Sequence, residues 1–130
     1  MHSRAMQLDA IGIVVTDLQR AVTFYRLLGL DLPDSGTEDH VEATTASGVR
    51  VMLDAETLIK RLSDDWVEPR GQRLAMGFKC ASPADVDARY QAIVDAGFDG
   101  GKAPWDAFWG QRYAQVRDAD GNKVDLFAEL

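Results

Sequence analysis

The chain contains one cysteine, Cys80. A lone thiol cannot close a disulfide within the chain and cannot by itself build a thiolate metal site, so Cys80 reads as a buried structural thiol. Histidine is almost as scarce, with His2 and His40 the only two. Cations are in the minority: 14 lysines and arginines stand against 21 aspartates and glutamates, a formal net charge of −7. Such a field repels polyanions, which argues against nucleic acid or an anionic membrane surface as a partner. No apolar run approaches the length needed to span a bilayer, and the opening MHSRAMQLDA has no apolar h-region, so a cytoplasmic location is expected. A Ser-His-Asp order, a Gly-rich phosphate loop and a spaced-cysteine motif are also missing.

What remains is an ordinary globular composition, 46% hydrophobic and 27% charged, in 130 residues. That length suits one domain, or two small modules sharing a core. The most informative stretch is the last, Pro104 to Leu130. It carries Trp105, Phe108, Trp109 and Tyr113, then the polar turn Asp118-Ala-Asp-Gly-Asn122 between two runs of alternating polarity. Asp-Gly flanked by alternating apolar residues predicts a β-hairpin, because Gly121 can take the positive φ that the turn needs. On the closing strand Val124, Leu126 and Ala128 point one way, and Lys123, Asp125 and Phe127 the other. Asp125 beside an aromatic cluster suits the wall of a ligand cup; a half-buried edge hairpin with solvated polar residues fits the pattern equally well.

At the other end, Leu8 to Val15 alternates so that Ile11, Ile13 and Val15 form a bulky face and Ala10, Gly12 and Val14 the opposite one. A helix is predicted next, capped by Thr16 or Asp17, with Leu18, Ala21, Val22, Tyr25 and Leu28 as its apolar stripe and Gly29 as its stop. Strands are expected over His40–Thr45 and Val49–Asp54, with a short additional strand near Leu30. Glu56 to Val67 reads as a partly helical linker ending at Trp66 and the break Pro69-Arg-Gly71. The order then restarts: a strand over Leu74–Cys80, a helix capped by Ser82 with Pro83 at its first position and Val86, Tyr90, Ile93 and Val94 as its stripe, and Gly97 as its stop. Ala10-Ile-Gly-Ile13 recurs as Ala75-Met-Gly-Phe78, and Gly48-Val-Arg-Val-Met52 as Gly121-Asn-Lys-Val-Asp125. Together these matches indicate a duplicated module whose copies bury their apolar faces against each other.

The segments AIGIVVTDLQRAVTFYRLLGL, MGFKCASPADVDARYQAIVDAGF and WGQRYAQVRDADGNKVDLF resemble the vicinal oxygen chelate superfamily, which includes glyoxalases, bleomycin-resistance proteins and dioxygenases. The fold implied is α+β: two βαβββ modules, about 7–55 and 72–130 with a linker over 56–71, whose mixed sheets curl into a cup with the helices outside. PWDAFWGQRYAQVRDADGNKVDLFA, with HVEA around His40 and Trp66 before RLAMGF, is most similar to the mitomycin-binding resistance members.

In metal-dependent members the resemblance places one ligand on the first strand and one on the last strand of each module. Here those positions hold Ala10, Met52, Ala75 and Asp125, and three of the four cannot bind a divalent cation. No metal and no cofactor are therefore expected. The mitomycin-binding resemblance implies a planar ligand held between His40 and Trp109. Trp66 and Trp105 either roof that pocket or pin loops to the core. Phe108 and Tyr113 suit packing or contact, and Met52 suits core filling or ligand contact. Asp125 is placed to accept from an amine or hydroxyl, or to pair with Lys123 or Arg50. The expected function is metal-free binding that sequesters a planar aromatic or quinone-like drug or natural product, by a homodimer. A glyoxalase-like lyase or isomerase, or a dioxygenase-like enzyme, is the alternative, and a module serving only protein contacts is a third class.

Overall fold

The computed structural model describes residues 5–130. Seven strands and three helices run in the order β1 (Ala10–Val15), α1 (Leu18–Leu27), β2 (His40–Thr44), β3 (Arg50–Ala55), α2 (Glu56–Leu62), β4 (Met76–Lys79), α3 (Pro83–Asp95), β5 (Gly100–Ala107), β6 (Gln111–Arg117) and β7 (Lys123–Glu129). They build a three-stranded sheet, β1-β3-β2, and a four-stranded sheet, β4-β7-β6-β5. In each sheet the module's first strand lies parallel to its last, and the remaining pairs are antiparallel. The duplication is thus visible in the pairing pattern itself.

The second module is βαβββ, as expected, but the first is βαββ. The additional strand near Leu30 does not form, although Leu30 and Leu32 are buried in the core. Pro33 offers no backbone donor, and Gly36 takes φ +54°, so this polar stretch cannot sustain a ladder. It crosses to β2 as an irregular connection pinned by Arg26, which donates to the Leu32 carbonyl and pairs with Asp34.

Local chemistry sets the helix ends. Asp17, not Thr16, caps α1, accepting from the Arg20 amide at 3.1 Å. Thr16 instead donates through its hydroxyl to Asp120, in the β6–β7 turn, at 2.7 Å. Past Leu28, Gly29 takes φ +96° and the Leu30 amide reaches back to the Tyr25 carbonyl, a Schellman-type stop. Ser82 caps α3 with Pro83 inside its first turn.

The apolar stripe of α1 is wider than its spacing suggested, because Phe24 is also buried, meeting Tyr25 and Phe98 edge-to-face. This extra face lets α1 touch α3 as well as its own sheet. One continuous core results, running from Val15, Val22 and Leu53 in the first module to Val86, Ile93, Val116 and Leu126 in the second. The helices cover one face of each sheet and leave the other open.

A second bond between modules lies at the β6–β7 turn. The buried Asp118 carboxylate accepts from the Tyr25 hydroxyl at 2.8 Å, from the amides of Asp120 and Asn122, and from the Asn122 side chain. Gly121 closes the turn at φ +85°, as its Asp-Gly sequence predicts. Among the described residues no helix is long and apolar enough to cross a membrane.

Candidate functional site

The open face of the four-stranded sheet is set by its register. Tyr113 lies opposite Trp105 on one side and Phe127 on the other, and Asp125 lies between Gln115 and Gly77. Alternation with the buried Val116, Val124 and Leu126 forces these side chains outward. Gly77 has no side chain to cover the sheet, and a Cβ there would sit 3.3 Å from the Phe127 ring.

Trp109, in the β5–β6 turn, centres the patch. Its ring meets Trp105, Phe108 and Tyr113 edge-to-face, with centroids 5.5, 4.9 and 5.3 Å away, and its indole N–H donates to Gln111 at 2.8 Å. It remains 48% exposed, and Phe108 beside it is 90% exposed. Both rings thus turn apolar area to solvent at the end of this sheet. Trp105 is gripped by Lys102, whose ammonium stands 4.4 Å from the ring centroid. Its buried indole N–H has no acceptor among the described residues. An orphaned buried donor costs free energy until something accepts from it.

Asp125 pairs with neither Lys123 nor Arg50, the two partners its sequence position suggested. Its carboxylate accepts from the Tyr113 hydroxyl at 2.6 Å and the Gln115 amide at 2.8 Å. Burial first, and then the bond to Asp125, push the Tyr113 phenol up to about 12. Two lone-pair positions on Asp125 stay free for a donor. Arg50 is engaged elsewhere, by Asp9 and Glu42.

His40 opens β2, on the three-stranded sheet. Its Nδ1 lies 2.5 Å from Asp54, its direct partner across the β2–β3 ladder, and its Nε2 is 3.8 Å from Glu42. The hydrogen bond to Asp54 raises its pKa, outweighing desolvation, which acts in the other direction. Met52 lies two residues along on the same face, its methyl 3.5 Å from where a Cβ on Gly12 would stand. Ala10 and Gly12 leave that face bare.

The expected site residues therefore fall into three places. Trp105, Phe108, Trp109, Tyr113 and Asp125 come together on one sheet, and His40 and Met52 share the other. Trp66 belongs to neither; its N–H donates to Glu68 at 3.3 Å, and its ring lines a cavity of about 980 Å³ between β1 and the approach to β4. Asp54, Gln111 and Gln115 were not singled out in the sequence. The register of the two hairpins would have found Asp54 opposite His40 and Gln115 opposite Asp125.

The metal-ligand positions implied by the resemblance hold a methyl, a thioether, a second methyl and one carboxylate. Among the described residues no three His, Cys, Asp or Glu side chains converge to hold an ion. The donor set does not fit a divalent metal.

Residues 7–126 match the model of the Glyoxalase/Bleomycin resistance protein/Dioxygenase superfamily, and the chain belongs to it. A glyoxalase-related enzyme from Fulvimarina pelagi superposes with a TM-score of 0.82 at 16% identity, covering 96% of this chain and 89% of that one. A glyoxalase/bleomycin resistance protein/dioxygenase from Nocardioides gives 0.74 at 24% identity over 100% and 87%. Lactoylglutathione lyase from Agrobacterium tumefaciens gives 0.68 at 18% identity over 97% and 96%. At these identities the likeness is one of fold. No curated protein matches the chain.

Proposed function

We propose that this protein is a metal-free binder that sequesters a planar aromatic or quinone-like small molecule, as its resemblance to the mitomycin-binding resistance members implies. The observation that carries this reading is the Trp105–Trp109–Tyr113 cluster on an open sheet face, with Trp109 turned to solvent and, beside it, the Asp125 carboxylate that can still accept. Flat ligands gain about 0.5–1.5 kcal/mol per aromatic pair beyond simple burial. Binding rather than catalysis is favoured because the donor set fits no metal, and Asp125 has no second acid–base group beside it other than the weakly acidic Tyr113. His40 and Met52 lie on the other sheet, so a ligand held between His40 and Trp109 needs both open faces turned towards one another. A homodimer, pairing one copy's three-stranded sheet with the other's aromatic patch, supplies that arrangement.

Titration with a panel of planar aromatic and quinone ligands tests the reading. Binding quenches tryptophan fluorescence and returns the ligand unchanged. Trp109→Ala weakens it about tenfold or more, the loss of roughly 1.4 kcal/mol, and His40→Ala weakens it less. Light scattering at micromolar concentration reports a dimer. Chemical conversion of the ligand would establish the superfamily-enzyme alternative instead, and unchanged affinity in Trp109→Ala would remove the stacking site.

A further inference from the structure

The cavity that Trp66 lines is a different place from the aromatic patch, sharing only Gln115 with it. It lies between two strands at sheet edges, β1 and β4. One wall is apolar: Ile11 and Ile13 of β1, Leu74 and Met76 at β4, and the Trp66 ring. The other carries Arg73, Arg117 and Lys123 together with Glu56, Glu68 and Asp120.

These three cations share with Arg20, Arg70, Lys79 and Lys102 the lack of a carboxylate partner among the described residues, and they are the ones that line this cavity. Five other arginines, Arg26, Arg50, Arg61, Arg89 and Arg112, each hold a carboxylate within 3.4 Å. No side-chain hydrogen bond or ion pair engages Arg73, Arg117 or Lys123 among the described residues. Three carboxylates line the same cavity, one of them held by a cation and two by neutral donors. Glu56 pairs with Lys60 at 2.6 Å, Glu68 accepts from Trp66, and Asp120 accepts from Thr16.

The backbones of the three cations are also held in place. Arg117 and Lys123 are direct partners in the β6–β7 ladder, facing the same way. Like charges directly opposite one another destabilise a sheet unless an anion lies between them. Arg73 is brought alongside by Gln72, whose side-chain amide clamps the Lys123 backbone, accepting from its N–H at 2.7 Å and donating to its carbonyl at 2.9 Å. The loop is thus fixed in register with the strand.

We propose that this cavity is a binding site for a small organic carboxylate with an apolar body. The carboxylate lies between Arg117, Lys123 and Arg73, and the hydrocarbon or aromatic part lies along Ile11, Ile13, Leu74 and Trp66. An arginine guanidinium matches a carboxylate with two parallel hydrogen bonds, which relieves the repulsion between Arg117 and Lys123. An inorganic anion would leave the apolar wall wet, so the body is as much a part of the specificity as the charge. This site does not rest on the aromatic-patch reading and stands or falls separately from it.

The test uses the full chain and a matched pair of probes, 2-naphthoate and its neutral isostere 2-naphthamide. The three indole N–H signals in a nitrogen–proton correlation spectrum report on Trp66, Trp105 and Trp109 separately, the Trp66 signal being the one lost in Trp66→Phe. Naphthoate is expected to move the Trp66 signal and to bind at least tenfold more tightly than naphthamide. Arg117→Met, which keeps the packed stem and removes the charge, weakens naphthoate about tenfold or more, as loss of a hydrogen bond to a charged group does. Arg73→Met, on an exposed loop where folding is not at stake, weakens it several-fold. Lys79→Met, a cation off the cavity, leaves it unchanged. Equal affinity for the two probes, full affinity in both arginine variants, a response centred on Trp109 rather than Trp66, or no binding at millimolar naphthoate overturns the proposal.

Discussion

Tyr25→Phe isolates the buried one of the hydrogen bonds that join the two modules. The hydroxyl of Tyr25 is buried and donates to Asp118 at 2.8 Å, across 93 residues of sequence. Phenylalanine fills the same volume, so the loss is the hydrogen bond alone. Asp118 keeps its three remaining donors, from Asp120 and Asn122, and is not stranded. A hydrogen bond to a charged acceptor contributes about 1.5–3 kcal/mol, so a cost of about 2 kcal/mol is expected. For a domain of this size that lowers Tm by roughly 8 °C. Asp118→Ala is expected to cost more, about 3–5 kcal/mol, because it leaves the phenol and two turn amides without an acceptor.

The same bond has a signature in pH. Burial, and then the charge and hydrogen bond of Asp118, raise the Tyr25 pKa far above its usual 10.0. Below pH 10 both folded and unfolded chains hold the proton, and the stabilisation is fully present. Above it the unfolded chain releases the proton while the folded chain keeps it, so stability falls as pH rises, by about 1.4 kcal/mol per pH unit for this one group. Urea unfolding of wild type and Tyr25→Phe between pH 8 and pH 11 reads both effects. A cost below about 0.5 kcal/mol together with an unchanged alkaline slope would refute the role assigned to this pair.

Two further titrations follow from the site. The His40 ring is expected to titrate above 6.5 by NMR, and Asp54→Asn to lower its midpoint, since the bond to Asp54 is the main cause of the shift. Its stabilising contribution is present below pH 6.5 and lost as pH rises through the folded midpoint, and it is small because the ring is partly exposed. Tyr113 is expected to ionise near pH 12 in a carbon-labelled tyrosine spectrum; Asp125→Asn lowers that midpoint but leaves it above 10, because burial is the larger cause.

Short-range chemistry in the chain was legible wherever one residue type decides a backbone conformation. Asp118-Ala-Asp-Gly-Asn122 fixed its hairpin, and Ser82-Pro83 and Gly29 fixed their helix ends, because caps and positive-φ turns are local events. The missing strand of the first module was not legible by analogy with its twin. Burial of Leu30 and Leu32 looks like a strand, yet Pro33 and Gly36 deny it a ladder. The site divides in the same way. Trp105, Trp109, Tyr113 and Asp125 are linked by the register of one sheet, which period-two alternation encodes. Trp66 sits on a loop whose position depends on Gln72 and Lys123, a contact between segments 51 residues apart that no local pattern announces.

The unequal sheets also bear on self-assembly. Each sheet ends in a strand whose outer backbone groups are unpaired, the usual template for uncontrolled stacking of chains. With the fourth strand missing, one such end is the five-residue β2, while the corresponding end of the second module is the eight-residue β5. The shorter end carries Glu42, which holds Arg50 of the neighbouring β3. The longer carries Pro104, Lys102 and two breaks in register. A ladder built end to end from these two would leave three residues of β5 unmatched and meet a proline without a donor. The two edges therefore do not match one another residue for residue.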